Sequence, residues 1–229
     1  MISAMSEGDL QALWVTVKLA ASTTLVLLLL GTPLAWWLAR TRSRAAAWVD
    51  ALVALPLVLP PTVLGFYLLV LMGPQGALGQ ALASIHWSPL VFSFGGLLVA
   101  SIISSLPFMV QPLRDAFLAV SPRLLDAAAT LRASPLDAFF SVALPLARRG
   151  FLSAVTLTFA HTVGEFGVVL MVGGNIPGST RVLSMAIYDH AESMNHGAAH
   201  VLALGLLLTS FAALLALNLL QRQRPRVGP

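Results

Sequence analysis

The sequence predicts an all-α protein, a polytopic transmembrane helical bundle of about five spans. Three observations carry that prediction. First, 58% of the 229 residues are hydrophobic and only 10% are charged, against roughly 25% charged in soluble domains. Second, the mean hydropathy is +0.87, and the apolar residues lie in runs of the length, ~18 residues or more, that crosses a bilayer. Third, the 13 Lys and Arg flank those runs instead of gathering on one face. The net charge of +4 therefore reads as membrane topology, and a nucleic-acid partner is not expected. The absence of cysteine excludes disulfides, thiolate metal sites and Cys nucleophiles.

In chain order, the first residues, MISAMSEGDL, are acidic and lead into a full-length span, so no cleavable signal peptide is expected. The first span covers about 13–39, with Lys18 near its start and Trp36, Trp37, Arg40, Arg42 and Arg44 at the far interface. The second covers about 49–72 and contains Pro56, Pro60 and Pro61, which lack a backbone donor and break or kink a helix. Backbone groups freed at that depth must face protein or a wet cavity. Gly73 to Pro89 reads as a loop. The third span covers about 90–113, with a kink expected at Pro107. A fourth, about 151–172, follows a moderately polar stretch, 121–150. A polar loop from Gly173 to Gly197 leads to a fifth span, about 199–220, and a short basic tail. We read the whole chain, 1–229, as one transmembrane domain.

Orientation follows from the basic residues. Placing the C-terminus in the cytoplasm puts Arg40, Arg42, Arg44, Arg114, Arg123, Arg132, Arg148, Arg149 and the tail's three Arg inside, and leaves Lys18 and Arg181 outside. Five spans then put the N-terminus outside.

The stretch 121–150, SPRLLDAAATLRASPLDAFFSVALPLARRG, is the longest polar island in the chain. Ser121-Pro122 is a helix start, with Ser as N-cap and Pro at the first helical position. Leu124, Ala127, Ala128 and Leu131 form a small apolar stripe at helical spacing. Ser134 and Asp137 repeat the start signal as a capping box, Phe139, Phe140 and Val142 make the second helix adhesive, and Pro145 is expected to end it. Such an element either lies on the membrane surface as an amphipathic loop or docks onto another protein.

Asp126-Ala127-Ala128, position 132 and then Leu144-Pro145 resemble the EAA loop of bacterial ABC-importer permeases, whose pattern is Glu-Ala-Ala, three residues, Gly, and a later Leu-Pro. LPLVLPPTVLGFYLLVLMG (Leu55–Gly73), GEFG (Gly164–Gly167) and NIPGSTR (Asn175–Arg181) resemble the molybdate branch of that family, NIPGSTR being the stretch that points to molybdate. The resemblance covers nearly the whole chain. It implies a type I (MetI-like) permease fold in a bacterial cell (inner) membrane and a coupling helix seated in a groove of a cytoplasmic ATPase. Asp126, Ala127, Ala128, Arg132, Leu144 and Pro145 would form the coupling element, with Asp126 in the acidic role. Two positions depart from the pattern. Asp126 is one methylene shorter than Glu. Arg132 stands where Gly would allow a left-handed turn, so either the turn is right-handed or a partner contact offsets the strain.

Elsewhere, Glu165 lies at membrane depth with His161 one turn earlier. Ionisable groups there face a pathway or form a structural interhelical bond. A fixed carboxylate repels a dianion and is not expected to ligate one. Pro60, Pro61, Gly164, Glu165 and Gly167 are the pathway or gate candidates, the glycines allowing close packing or movement. Asn175 and Arg181 are outer-loop contact candidates, Arg181 being read as an exposed cation. His190, His196 and His200 with Asp189 and Glu192 match no metal-ligand spacing, so no metal or other cofactor is expected.

No Gly-x-x-x-x-Gly-Lys-Ser/Thr loop occurs and the sole Lys is Lys18, so the chain is expected to be a transport component and not an enzyme, with no catalytic residue. Five spans are too few to enclose a path, which predicts a homodimer. The implied partners are a second copy, two cytoplasmic ABC ATPase subunits, an extracytoplasmic molybdate-binding protein, the lipid bilayer and molybdate itself. Tungstate, or sulfate and thiosulfate, are the alternative substrates; an ion-gradient-driven secondary transporter or channel is the alternative class.

Overall fold

A computed structural model describes residues 6–222. The expectations for the first residues and for Arg224 and Arg226 of the tail lie outside the described residues. Among the described residues the chain is helical, without strands, and five helical stretches are long and apolar enough to cross a membrane.

Helix α1 spans Glu7–Arg40. It begins well before the apolar run because Ser6 and Asp9 form a capping box, with Asp9 N–H on Ser6 Oγ at 3.2 Å and Ser6 N–H on Asp9 Oδ2 at 3.1 Å. Helices α2 (Arg44–Val58) and α3 (Pro61–Met72) replace a single second span. The break falls at Leu59 and Pro60, both extended at ψ 136° and 134°. Each precedes a proline, whose Cδ pushes the preceding residue out of helical space. Pro56, by contrast, is accommodated inside α2.

Two stretches read as loops contain helices. Helix α4 (Ala77–Ser84) lies within the Gly73–Pro89 segment. Helix α5 (Phe94–Leu118) then runs unbroken through Pro107 and Pro112. The polar segment 121–150 holds α6 (Pro122–Thr130) and α7 (Pro135–Ala138), and a π-turn, Phe139–Ala143, continues directly into α8 (Leu144–Gly164). Pro145 therefore does not end the second helix. It has no N–H for the Ser141 carbonyl and its ring would strike it, so the chain widens by one residue and Leu144 N–H bonds to Phe139 O instead. The expected fourth span is also interrupted: α8 stops at Gly164 and α9 (Gly167–Gly173) resumes after Glu165 and Phe166. Helix α10 (Leu183–Glu192) occupies much of the outer loop, and α11 is His196–Arg222.

The centre of the bundle is α5, packed between α1 and α8. Leu27, Ala35 and Leu38 of α1 meet Met109, Val110, Leu113 and Phe117 of α5 and Ala147 and Ala154 of α8 in one fully buried cluster. Gly150 permits the α5–α8 contact, because a Cβ there would overlap Ala116. A second packing unit joins α3 to α9, where Leu68 and Met72 meet Val168 and Val172. Helix α11 is held by α10 and α1 through Leu202, Leu183, Ala186 and Ala12. It leaves Leu207, Leu208, Phe211 and Leu215 exposed, as a lipid-facing or subunit-facing span requires.

Candidate functional site

The segment between α5 and α8 projects as a bent arm. Ser134 and Asp137 make the expected capping box, the Asp137 N–H on Ser134 Oγ at 3.2 Å and the Ser134 N–H on Asp137 Oδ2 at 3.2 Å. Ser121, in contrast, makes no side-chain cap bond; Pro122 alone sets the start of α6. Asp126, Ala127, Arg132 and Pro145 are exposed, while Ala128 and Leu144 are half-buried. Leu124, Leu131, Leu136 and Phe140 present apolar surface on the same arm, Leu131 at 83% exposure. Exposed leucine on a segment flanked by capped helices is surface available to a partner.

Arg132 resolves the two alternatives left by the sequence. Its φ is +61°, the left-handed region. Ala133 N–H bonds to Ala128 O at 3.1 Å and Arg132 N–H to Ala129 O at 3.0 Å. That is a Schellman ending of α6 with Arg132 at the position usually held by glycine. The turn is left-handed, and the guanidinium is exposed with the strain in place.

Beside the middle of α5, which Glu165 meets through Ser104, the two helix breaks lie side by side. A Cβ on Gly167 would come within 2.8 Å of Pro61 Cβ, and one on Gly65 within 3.1 Å of the Val168 Cα. Glycine thus lets the start of α3 press directly onto α9, bringing Pro61 and Gly167 together; nothing lies within 4 Å of a Cβ on Gly164. Pro60 and Pro61 are exposed. Glu165, only 7% exposed, sits in the break itself and not within a continuous span. The Ser104 hydroxyl of α5 donates to its Oε2 at 2.6 Å, and Ser184 of α10 donates to its backbone carbonyl at 2.6 Å. His161 Nδ1 is 3.6 Å from the same Oε2. Its ring stacks on Phe108 with centroids 4.0 Å apart.

Proton counting orders the rest of this cluster. Thr162 Oγ1 donates to Thr158 O at 2.9 Å, so it accepts from Ser105 Oγ at 3.0 Å. Ser105, having given its one proton, accepts from His161 Nδ1 at 2.9 Å. The ring is thereby assigned as the Nδ1–H tautomer. Glu165 and His161 therefore lie in a hydroxyl-lined cluster where α5, α8, α10 and the break before α9 meet. Sequence reading missed Ser104, Ser105, Thr162 and Ser184. The paired serines inside an apolar span were the available signal.

The outer-loop candidates are internally engaged. Asn175, at φ +55°, donates from Nδ2 to Asp189 Oδ1 at 3.0 Å, and Arg181 pairs with Asp189 Oδ2 at 3.0 Å. The Arg181 side chain is only 19% exposed, so it is not the free cation expected. Tertiary folding brings Asp189 of α10 beneath both residues. The Thr180 hydroxyl, donating to Gly173 O at 2.6 Å and accepting from Ile176 N–H at 3.0 Å, fixes the turn between them. Nearby, Tyr188 donates to Glu192 Oε1 at 2.7 Å, and that carboxylate holds the phenol above its ordinary pKa. His190 bonds to Asp9 Oδ1 at 2.9 Å, tying α10 to the start of α1.

The fold matches solved importers. A bacterial ABC transporter involved in the import of the acidic polysaccharide alginate superimposes with a TM-score of 0.78 at 16% identity, covering 97% of this chain and 82% of that one. The inward-facing MetNI methionine ABC transporter does so at 0.72 and 20% identity, covering 97% and 100%. The fold is therefore that of MetI-like type I ABC importer permeases. In sequence, the molybdenum transport system permease protein ModB of Azotobacter vinelandii is 59% identical over 93% of this chain and 94% of its own length. The ModB of Escherichia coli K12 is 34% identical over 98% and 99%. Residues 31–226 match the family described as the binding-protein-dependent transport system inner membrane component. With a bundle of that fold, an exposed arm between α5 and α8 and a match across most of its length, the chain belongs to the binding-protein-dependent inner-membrane permease family.

Proposed function

We propose that this chain is the membrane-spanning permease subunit of an ATP-driven molybdate importer. The observation that carries the substrate is the 59% identity, across 93% of the chain, to a molybdenum transport permease. The NIPGSTR stretch at Asn175–Arg181 supports it from within the sequence.

The working unit is a homodimer with the path between two copies, because one chain cannot enclose it. Two cytoplasmic ATPase subunits dock on the two arms; Asp126, Ala127, Ala128, Arg132, Leu144 and Pro145 form the coupling element. The exposed Asp126 carboxylate faces basic groups of that subunit while Leu124, Leu131 and Leu136 fill its groove. An extracytoplasmic binding protein delivers the anion. With eleven of the thirteen basic residues on the arm side, the N-terminus lies outside and the C-terminus in the cytoplasm. Hydrolysis belongs to the ATPase subunits, since this chain has no phosphate-binding loop.

The geometry also supports how the path handles a dianion. Glu165 is withdrawn into hydrogen bonds with Ser104, away from any role as ligand. Pro60, Pro61, Gly164 and Gly167 surround the two breaks, where α3 and α9 meet as half-helices able to shift together. Among the described residues no Lys or Arg lies at the two breaks, so the path conducts and leaves capture to the binding protein.

The test is uptake of labelled molybdate into proteoliposomes holding the permease, its ATPase subunit and its binding protein, with tungstate and sulfate as competitors. Uptake that requires ATP and resists sulfate supports the reading. Preference for sulfate sinks the substrate assignment, and ATP-independent uptake sinks the importer class.

A further inference from the structure

We propose that Arg40, seated against Trp36, is the joint that passes displacement of the arm 121–143 into α1, and is thereby a positioning residue for transport. This rests on the ATPase-coupled reading above.

Arg40 is the last residue of α1. Its Nη2 donates to Phe117 O at 3.2 Å and Val120 O at 3.3 Å. Phe117 lies in the last turn of α5, and Val120 lies just past its end, immediately before the arm. The Phe117 carbonyl already accepts the Val120 N–H at 3.2 Å, and a cation is favoured beside carbonyls at a helix C-terminus. The guanidinium centre also lies 4.8 Å from the Trp36 ring centroid. Trp36, one turn earlier on the same face of α1, stands edge-on to Phe117 at 5.1 Å and to Phe139 at 5.2 Å. Phe117 in turn meets Phe151 at 5.7 Å.

Phe117 and Val120 are where the arm leaves the bundle, and Phe139 is where it returns. Both ends are therefore pinned on a single turn of α1. The π-turn matters here, because its extra residue lets Phe139 face Trp36 while α8 continues into the membrane. An arm held at one point cannot hinge away from its own span. Force applied at Asp126 or Leu131 is delivered to the ends of α1, α5 and α8 together. Lysine does not reproduce this joint: one ammonium can donate to both carbonyls, as the single Nη2 does, but it has no flat guanidinium face to lie against the Trp36 indole while doing so.

The experiment uses the complete transporter in proteoliposomes, with labelled molybdate as probe. It compares the unsubstituted chain with Arg40→Lys and Arg40→Gln for ATPase co-purification, ATP hydrolysis and uptake. The expected result is unchanged co-purification and hydrolysis, with ATP consumed per molybdate rising about fivefold or more, the lower end of what a coupling contact carries. An unchanged ratio, including a parallel fall in hydrolysis and uptake, overturns the joint and leaves Arg40 a structural anchor. Failure of the unsubstituted chain to bind an ATPase subunit overturns the functional reading instead. Should the Arg40 variants not accumulate, spin labels decide the matter in an otherwise native chain, which has no cysteine of its own. Labels at Arg42→Cys and Thr130→Cys are expected to keep one separation with and without ATP, and a separation that changes overturns the joint.

Discussion

Replacing Arg132 with glycine is expected to tighten the arm. The residue ends α6 at φ +61°, a conformation that costs a residue bearing Cβ roughly 1–2 kcal/mol. Glycine removes that term but adds back roughly 0.5–1 kcal/mol of unfolded-chain entropy. The net gain is about 0.5–1 kcal/mol, or roughly a two- to fivefold drop in local opening. Two amides report it directly, because the N–H groups of Arg132 and Ala133 close the turn onto Ala129 and Ala128. Hydrogen exchange on peptides covering 126–136, with the permease in nanodiscs, is the assay. Slower exchange in Arg132→Gly, and none in Arg132→Ala, isolates backbone strain from loss of the side chain. Exchange that is unchanged or faster in the glycine variant refutes the strain argument, because it means that contacts of the guanidinium already compensate.

Three further outcomes are expected. Gly167→Ala forces a methyl against Pro61 and lowers stability by about 1–3 kcal/mol, whereas Gly164→Ala meets open space and is neutral or stabilising by up to ~1 kcal/mol. Melting temperatures of the two variants in one detergent compare them directly, and equal shifts would contradict the packing. Glu165→Ala takes away the 2.6 Å acceptor of the buried Ser104 hydroxyl and leaves it only the longer contact to Ser101 O at 3.3 Å, at a cost of about 1–3 kcal/mol, while Glu165→Gln keeps an acceptor and loses less; the order of their melting temperatures checks this. Asp189→Ala releases Asn175 and Arg181 together and costs about 1–3 kcal/mol. It should also expose the 173–182 turn to limited proteolysis at Arg181.

Hydropathy made the all-α bundle legible, because bilayer thickness dictates run length whatever the packing. Local chemistry was equally readable where it was self-contained. Pro60-Pro61 broke the second span, and Ser134 with Asp137 capped α7. Arg132 announced a conflict that the Schellman turn then settled. Features set by distant residues were not readable. Nothing in GEFG signals that the helix stops at Glu165, since the stop is held by Ser104 and Ser184 from two other helices. Arg181 looked free because its partner, Asp189, arrives only through tertiary folding. Pro145 looked like a terminator because a π-turn, which spares the helix, leaves no mark in a residue pattern. The short helices α4 and α10 were hidden in loops whose Gly and Pro content suggested turns throughout.

The buried bond between α1 and α10 bears on how the protein is made. Thr16 Oγ1 donates to Ala12 O and accepts the Leu183 N–H at 2.7 Å, across 167 residues of chain, and Asp9 waits for His190 in the same way. At ~5–20 residues per second of synthesis, those partners reach the membrane on the order of ten to thirty seconds after α1. Until then the first helix can settle against α5 with Thr16 bonded to Ala12 O and Asp9 held in its capping box, and its α10 side has no packing partner. The bonds that join the first helix to α10 therefore close only after residues 183–190 have been made, so they belong to the last stage of assembly.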